Sequence, residues 1–155
     1  MPLSPRLAEV RSRVPGTLGL AYGPHPRERL DFFPAATKAP APVLVFIHGG
    51  YWRALSKDDS SFPAEVFTQS GVAFVAVDYA LAPEVSIDEI VAQTRRAIAW
   101  LYRNSLRLGG DPERIFVTGS SAGGHLTGML LAAGWHQKEG IPANVIKGAA
   151  PISGI

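Results

Sequence analysis

Ile115-Phe116-Val117-Thr118-Gly119-Ser120-Ser121-Ala122-Gly123-Gly124-His125-Leu126 is the stretch on which the reading of this chain turns. A run of β-branched and aromatic residues enters a glycine–serine bend, and a stretch of small residues predicted as a helix over 122–133 leaves it. The run reads as a buried strand. Gly119-Ser120-Ser121-Ala122-Gly123 matches G-x-S-x-G, and its place between a strand and a helix is the setting of a nucleophile elbow. In so tight a bend the central residue is strained and bulky side chains two positions away would clash, which accounts for both glycines. Ser121 is therefore the candidate nucleophile. Its hydroxyl is lifted to a helix N-terminus, where free N–H groups and the helix dipole favour developing negative charge. The same pentapeptide also fits a turn that binds a phosphate or nothing, and Ser120 is a rival hydroxyl one place off the motif.

Upstream, Val43-Leu44-Val45-Phe46-Ile47 is a continuous apolar run of the kind buried on both faces of a parallel sheet. His48-Gly49-Gly50-Tyr51-Trp52 follows as a loop. Two adjacent glycines let backbone approach a substrate, with N–H groups aimed at a carbonyl oxygen as it becomes an oxyanion. Gly49 and Gly50 are the expected donors on this side and Ala122, after the elbow, is the other. The glycines also suit an ordinary turn that needs φ > 0. His48 lies on the oxyanion side and is read as bracing the loop rather than as a base.

The rest of the chain alternates in the same way. Residues 1–16 are expected to form a short amphipathic helix, with Leu3, Leu7, Val10 and Val14 near helical spacing. Residues 17–28 read as loop, and Arg29–Phe33 as a short outer strand. A helix is expected around 61–70, ended by Gly71, and a buried strand over 72–77. A long helix over 86–108 is capped by Ser86, with Glu89 closing a capping box. Its face carries Ile87, Ile90, Val91, Thr94, Ile98, Leu101 and Leu108. Val145–Ile152 reads as a fourth buried strand. Strands alternating with helices give a mostly parallel sheet with helices on both faces, in one domain over 1–155.

Composition narrows the function classes. The chain has 155 residues, 46% hydrophobic and 18% charged, with a net charge of +2. That charge gives no argument for nucleic acid. No apolar run approaches the roughly 20 residues of a membrane span. The absence of cysteine removes disulfides and thiolate metal sites, and fits a cytoplasmic setting. No metal or organic cofactor is expected.

Three stretches carry a family likeness: VLVFIHGGYWR (43–53), VAVDYALAPE (75–84) and GGDPERIFVTGSSAGGHL (109–126). From about Asp31 onward the chain resembles the esterase/lipase group of the three-layer α/β-hydrolase fold. Within that group HGGYW resembles the H-G-G-x-W motif of kynurenine formamidases, whereas hormone-sensitive-lipase-like esterases carry a third glycine where Tyr51 stands. The resemblance implies a small-molecule acyl substrate, an aryl formamide such as N-formylkynurenine, or else a small acyl ester. A binding module without catalysis is the reading from another class. Tyr51 and Trp52 either wall a substrate pocket or pack under the loop. Asp78 resembles a position held for structure near the active-site loops, and Asp111 a turn residue.

In this fold the triad follows the order Ser, then Asp or Glu, then His. After Ser121 stand one carboxylate, Glu139, and two imidazoles, His125 and His136. His125 is expected on the elbow helix, pointing elsewhere, and His136 and Glu139 in the loop after it, in the wrong order. The expectation is a fold truncated after the strand that follows the elbow helix, with acid and base supplied by a missing C-terminal half or a second chain. The 155 residues alone are expected to be inactive and poorly soluble, with a bare sheet edge.

Overall fold

Val77 and its neighbours in Ala73–Val77 are buried without exception, because this strand has strands on both edges and helices over both faces. A computed structural model describes residues 5–38 and 40–155. The elements in order are α1 (Pro5–Arg13), β1 (Thr17–Ala21), β2 (Arg29–Phe33), β3 (Ala41–Ile47), α2 (Ala64–Gln69), β4 (Ala73–Val77), α3 (Ile87–Asn104), β5 (Gly110–Ser120), α4 (Ala122–Leu130), α5 (Trp135–Glu139) and β6 (Ile146–Ile152). The strands form one sheet in the order β1-β2-β4-β3-β5-β6. β4, β3, β5 and β6 run parallel, while β2 is antiparallel to both β1 and β4.

Alternation along the strands sends side chains to two layers. Val43, Val45, Ile47, Ile115 and Val117 face α3, α4 and α5, where Ile90, Ile98, Leu101, Leu126, Leu130 and Trp135 complete the larger core. Phe33, Phe74 and Ala76 face α1 and α2, packed with Val10, Val14 and Ala64. In this second layer Phe74 gathers Phe33, Phe46 and Phe67, with ring centroids 5.9–6.4 Å away. The α1 helix is also tied down by charge, since Arg11 meets both Asp31 and Asp58.

Several expectations need correction. Of the first helix, Leu3 lies outside the described residues. Residues 17–28 are not all loop: 17–21 form the edge strand β1. That makes β2 an internal strand rather than an outer one, and even its Asp31 is buried, held by Lys57, Arg11 and the Gly19 N–H. The long helix stops at Asn104, Ile87 is exposed, and the capping box is half made. Ser86 accepts from the Glu89 N–H, but the Glu89 carboxylate turns to Arg96. His136 and Glu139 lie on the short helix α5, not in a loop.

The α2-side face is not covered along its full width. Leu44 and Phe46 are half-buried and Phe116 is 37% exposed, so β3 and β5 are fully buried on one face only. β6, expected as buried, is an edge strand with mostly exposed residues. An open groove of about 220 Å³ runs between Leu44, Phe116 and Gly148–Ala150 on this face.

Candidate active site

β5 ends at Ser120 and α4 begins at Ala122, so Ser121 alone makes the bend between strand and helix. Its backbone sits at φ 57°, ψ −117°, a region that costs a non-glycine residue on the order of 1–3 kcal/mol. The surroundings enforce it. The Ser121 N–H donates to the Ile152 carbonyl at 2.9 Å, and the Ser121 carbonyl accepts from the His125 N–H at 3.0 Å. Both flanking glycines are required by contact. A Cβ on Gly119 would strike the Gly123 carbonyl, and one on Gly123 would strike the carbonyls of Ile47 and His48. The start of α4 is thus pressed against the end of β3, where the glycine loop departs.

That loop comes directly against the bend. A Cβ built on Gly49 would lie 2.6 Å from the Ser120 carbonyl oxygen and 3.3 Å from Ser121 Cβ. On the other side Tyr79 sets the loop's orientation. Its hydroxyl donates to the His48 carbonyl at 2.7 Å and reaches the Gly49 carbonyl at 3.5 Å, and its ring stacks on His48 with centroids 4.1 Å apart. A trans peptide points its C=O and N–H in opposite directions. Carbonyls drawn toward Tyr79 therefore turn the Gly49 and Gly50 N–H groups away from it. Among the described residues no protein acceptor takes either N–H. The Ala122 N–H, in the first turn of α4, has no partner within the helix.

Beneath the loop lies a buried charge network. His48 Nε2 meets Asp78 Oδ1 at 3.1 Å, and Arg27 places its guanidinium on the same carboxylate at 2.7 and 3.2 Å. Burial pushes the Asp78 carboxyl up, but hydrogen bonds from His48 and Arg27, with their charges, outweigh it and hold it below the usual carboxylate range. The Asp78 carbonyl accepts from the Tyr22 hydroxyl. Burial, with the nearby Glu28 and Asp78 carboxylates, raises that phenol well above its ordinary value. His48 braces the loop, as its position suggested.

None of the chain's four imidazoles hydrogen-bonds Ser121. His25 binds Glu84, His48 binds Asp78, and His125 Nδ1 accepts from the Trp52 indole N–H at 3.3 Å. His136 is buried against Trp135, and burial together with Arg95 lowers its pKa. Trp52 thus packs onto α4, while Tyr51 stands 71% exposed at the loop's tip. Among the described residues no group of three or more His, Cys, Asp or Glu is placed to hold a metal ion.

The structure brings Gly49 against Ser121, with Ala122 next after the bend and Gly50 next along the loop, while Tyr51 is exposed and Trp52 packs on α4. Sequence reasoning missed Tyr79 and Arg27. A hydroxyl-bearing aromatic two residues past a wholly apolar strand was the available signal for Tyr79; Arg27, in a Gly/Pro-rich stretch, offered none.

Comparison with known proteins identifies the family. The profile of the BD-FAE family matches residues 30–148. Kynurenine formamidase of Danio rerio is 36% identical over 146 residues, covering 94% of this chain and 48% of the relative. That of Salmo salar is 37% identical over 139 residues, covering 89% and 45%. Among solved structures, an esterase from Pyrobaculum calidifontis superposes with a TM-score of 0.74 at 27% identity, covering 96% of this chain and 48% of that one. The chain spans about half the length of the curated relatives it matches.

Proposed function

The chain belongs to the BD-FAE family of α/β-hydrolase esterases, and from that premise we propose that it carries the nucleophile and oxyanion site of a serine hydrolase cleaving an aryl formamide. The observation that carries the proposal is the contact between the glycine loop and the bend: Gly49 lies against a Ser121 held at φ 57°. The Ser121 hydroxyl oxygen attacks the formyl carbon, and a general base takes its proton. N–H groups of Gly49, Gly50 and Ala122 receive the oxyanion, each worth about 10²–10³ in rate. Collapse of the adduct expels the aryl amine, which takes the proton back from the base. Water then attacks the acyl-serine and releases formate.

Since the four imidazoles are committed elsewhere, the base and its orienting carboxylate come from sequence beyond these residues, through the rest of the fold or a partner chain. Tyr51, exposed at the loop's tip, would meet the substrate. The formamide is preferred because the two kynurenine formamidases match over most of this chain. A small acyl ester is the second reading, favoured by the Pyrobaculum esterase. A fluorophosphonate probe on the protein expressed from its gene tests the chemistry: labelling lost in Ser121→Ala supports a serine hydrolase, and no labelling of the unaltered protein supports a binding module. Comparing kcat/KM on N-formylkynurenine and p-nitrophenyl acetate tests the substrate, and a much poorer formamide value removes the first choice.

A further inference from the structure

We propose that Trp52 and His125 form a clasp that fixes the glycine loop against the first turns of α4, which makes Trp52 a positioning residue for the oxyanion site. The inference rests on the serine-hydrolase reading above. Residues 50–52 are three consecutive left-handed positions, Gly50 at φ 103°, Tyr51 at 53° and Trp52 at 59°. Two of them carry side chains that disfavour this backbone, so the conformation persists only where contacts hold it. The Gly50 carbonyl takes the N–H groups of Arg53 and Ala54, and the Trp52 carbonyl takes that of Ala82. These bonds fix the loop's shape but do not tie it to α4.

The side chain of Trp52 makes that tie. Its indole N–H donates to His125 Nδ1 at 3.3 Å, and the rings meet edge to face, 5.2 Å apart at 84°. His125 is one turn from Ser121, whose carbonyl accepts the His125 N–H. The indole therefore holds the same turn of helix that offers the Ala122 N–H. Two donor sets on different elements, the Gly49–Gly50 loop and the α4 N-terminus, must meet one oxygen atom. Gly49 against Ser121 sets how near they come; the clasp stops the loop from swinging about that contact. The chemistry is directional, since an indole is only a donor. Nδ1 must present its lone pair, so the ring carries its proton on Nε2 and Nδ1 is closed to other duties.

Four variants of the protein expressed from its gene test this: Trp52→Phe, His125→Leu, the double variant, and His125→Asn, whose side-chain oxygen stands near the place of Nδ1. Kinetics on p-nitrophenyl acetate and the fluorophosphonate labelling rate of Ser121 are read together. Either single variant is expected to lower kcat and labelling about tenfold with KM within twofold, as for a misplaced donor. The double variant loses no more than either single one, because both break one bond. His125→Asn recovers to within threefold of the unaltered protein. Wild-type kcat in Trp52→Phe, losses that multiply in the double variant, or a change in KM alone overturns the proposal, the last assigning Trp52 to substrate contact. The indole ¹⁵N–¹H resonance of Trp52, shifted in His125→Leu and restored in His125→Asn, reports the bond without activity. Failure of Ser121-dependent labelling in the unaltered protein overturns the function reading and the positioning role with it. An indole resonance indifferent to residue 125 overturns the clasp alone.

Discussion

Replacing Gly49 by Ala adds one methyl group where the structure leaves no room for it. The new Cβ would lie 2.6 Å from the Ser120 carbonyl oxygen, against 3.4 Å where ordinary contact begins, so loop and bend must part by about 0.8 Å. Neither side yields by rotation, since the obstacle is backbone. An N–H seated about 2.9 Å from an oxyanion would then sit at about 3.7 Å, outside hydrogen-bonding range. Losing one donor predicts a fall in kcat of about 10²-fold, or ~2.7 kcal/mol at ~1.36 kcal/mol per tenfold. The fluorophosphonate labelling rate of Ser121 and kcat on p-nitrophenyl acetate should fall together, with KM little changed. A thermal melt guards against simple unfolding. Labelling within threefold of the unaltered protein, at an unchanged melting temperature, would refute the assignment of the 49–50 backbone to the oxyanion site.

Tyr79→Phe reaches the same loop from behind; it leaves the buried His48 carbonyl without its donor, a cost of about 1–3 kcal/mol, and should lower kcat more than it raises KM. Ser121→Gly relieves the strained φ of 57° and should raise stability by about 1 kcal/mol while abolishing labelling, as read from urea midpoints. Because its partners hold the Asp78 carboxyl low, its stabilisation is present above the unfolded value of about 3.9 and is lost as pH falls through the lower folded value. The stability gap between the unaltered protein and Asp78→Asn should therefore narrow below about pH 4, and a gap constant from pH 7 to 3 would exclude this linkage. Residues 1–155 alone should self-associate through the bare groove, and Phe116→Lys, placed in it, should shift the sedimentation distribution toward monomer.

How far the fold was legible depends on the strand. β4 could be read because residues 72–77 are apolar throughout and both faces are in fact covered. β1 could not: Leu18 is exposed, and the register breaks between Thr17 and Leu20, where Gly19 at φ 68° gives its N–H to Asp31. No burial pattern forms on such an edge, so only pairing with β2 defines it. β6 failed in the opposite sense. Its apolar composition predicted burial, but composition cannot say whether a neighbour is present, and here one edge is open. Within the site, the two motifs were legible because each is a local backbone requirement for glycine. The Tyr79 and Arg27 contacts span 31 and 51 residues to His48 and Asp78, and the Trp52–His125 bond spans 73. Such pairs exist only once the sheet brings the strand ends together.

The strand order also sets a timetable for synthesis. β3 finds its first neighbour, β4, about thirty residues later, but its other edge waits for β5, where Val43 pairs with Ile115. At ~5–20 residues per second those 72 positions take about 4–14 s. Through that interval the ribosome holds a nascent chain with its central strand open along one side. Elongation speed across α3 then governs how long that edge is available to a ribosome-associated chaperone, or to a neighbouring polysome.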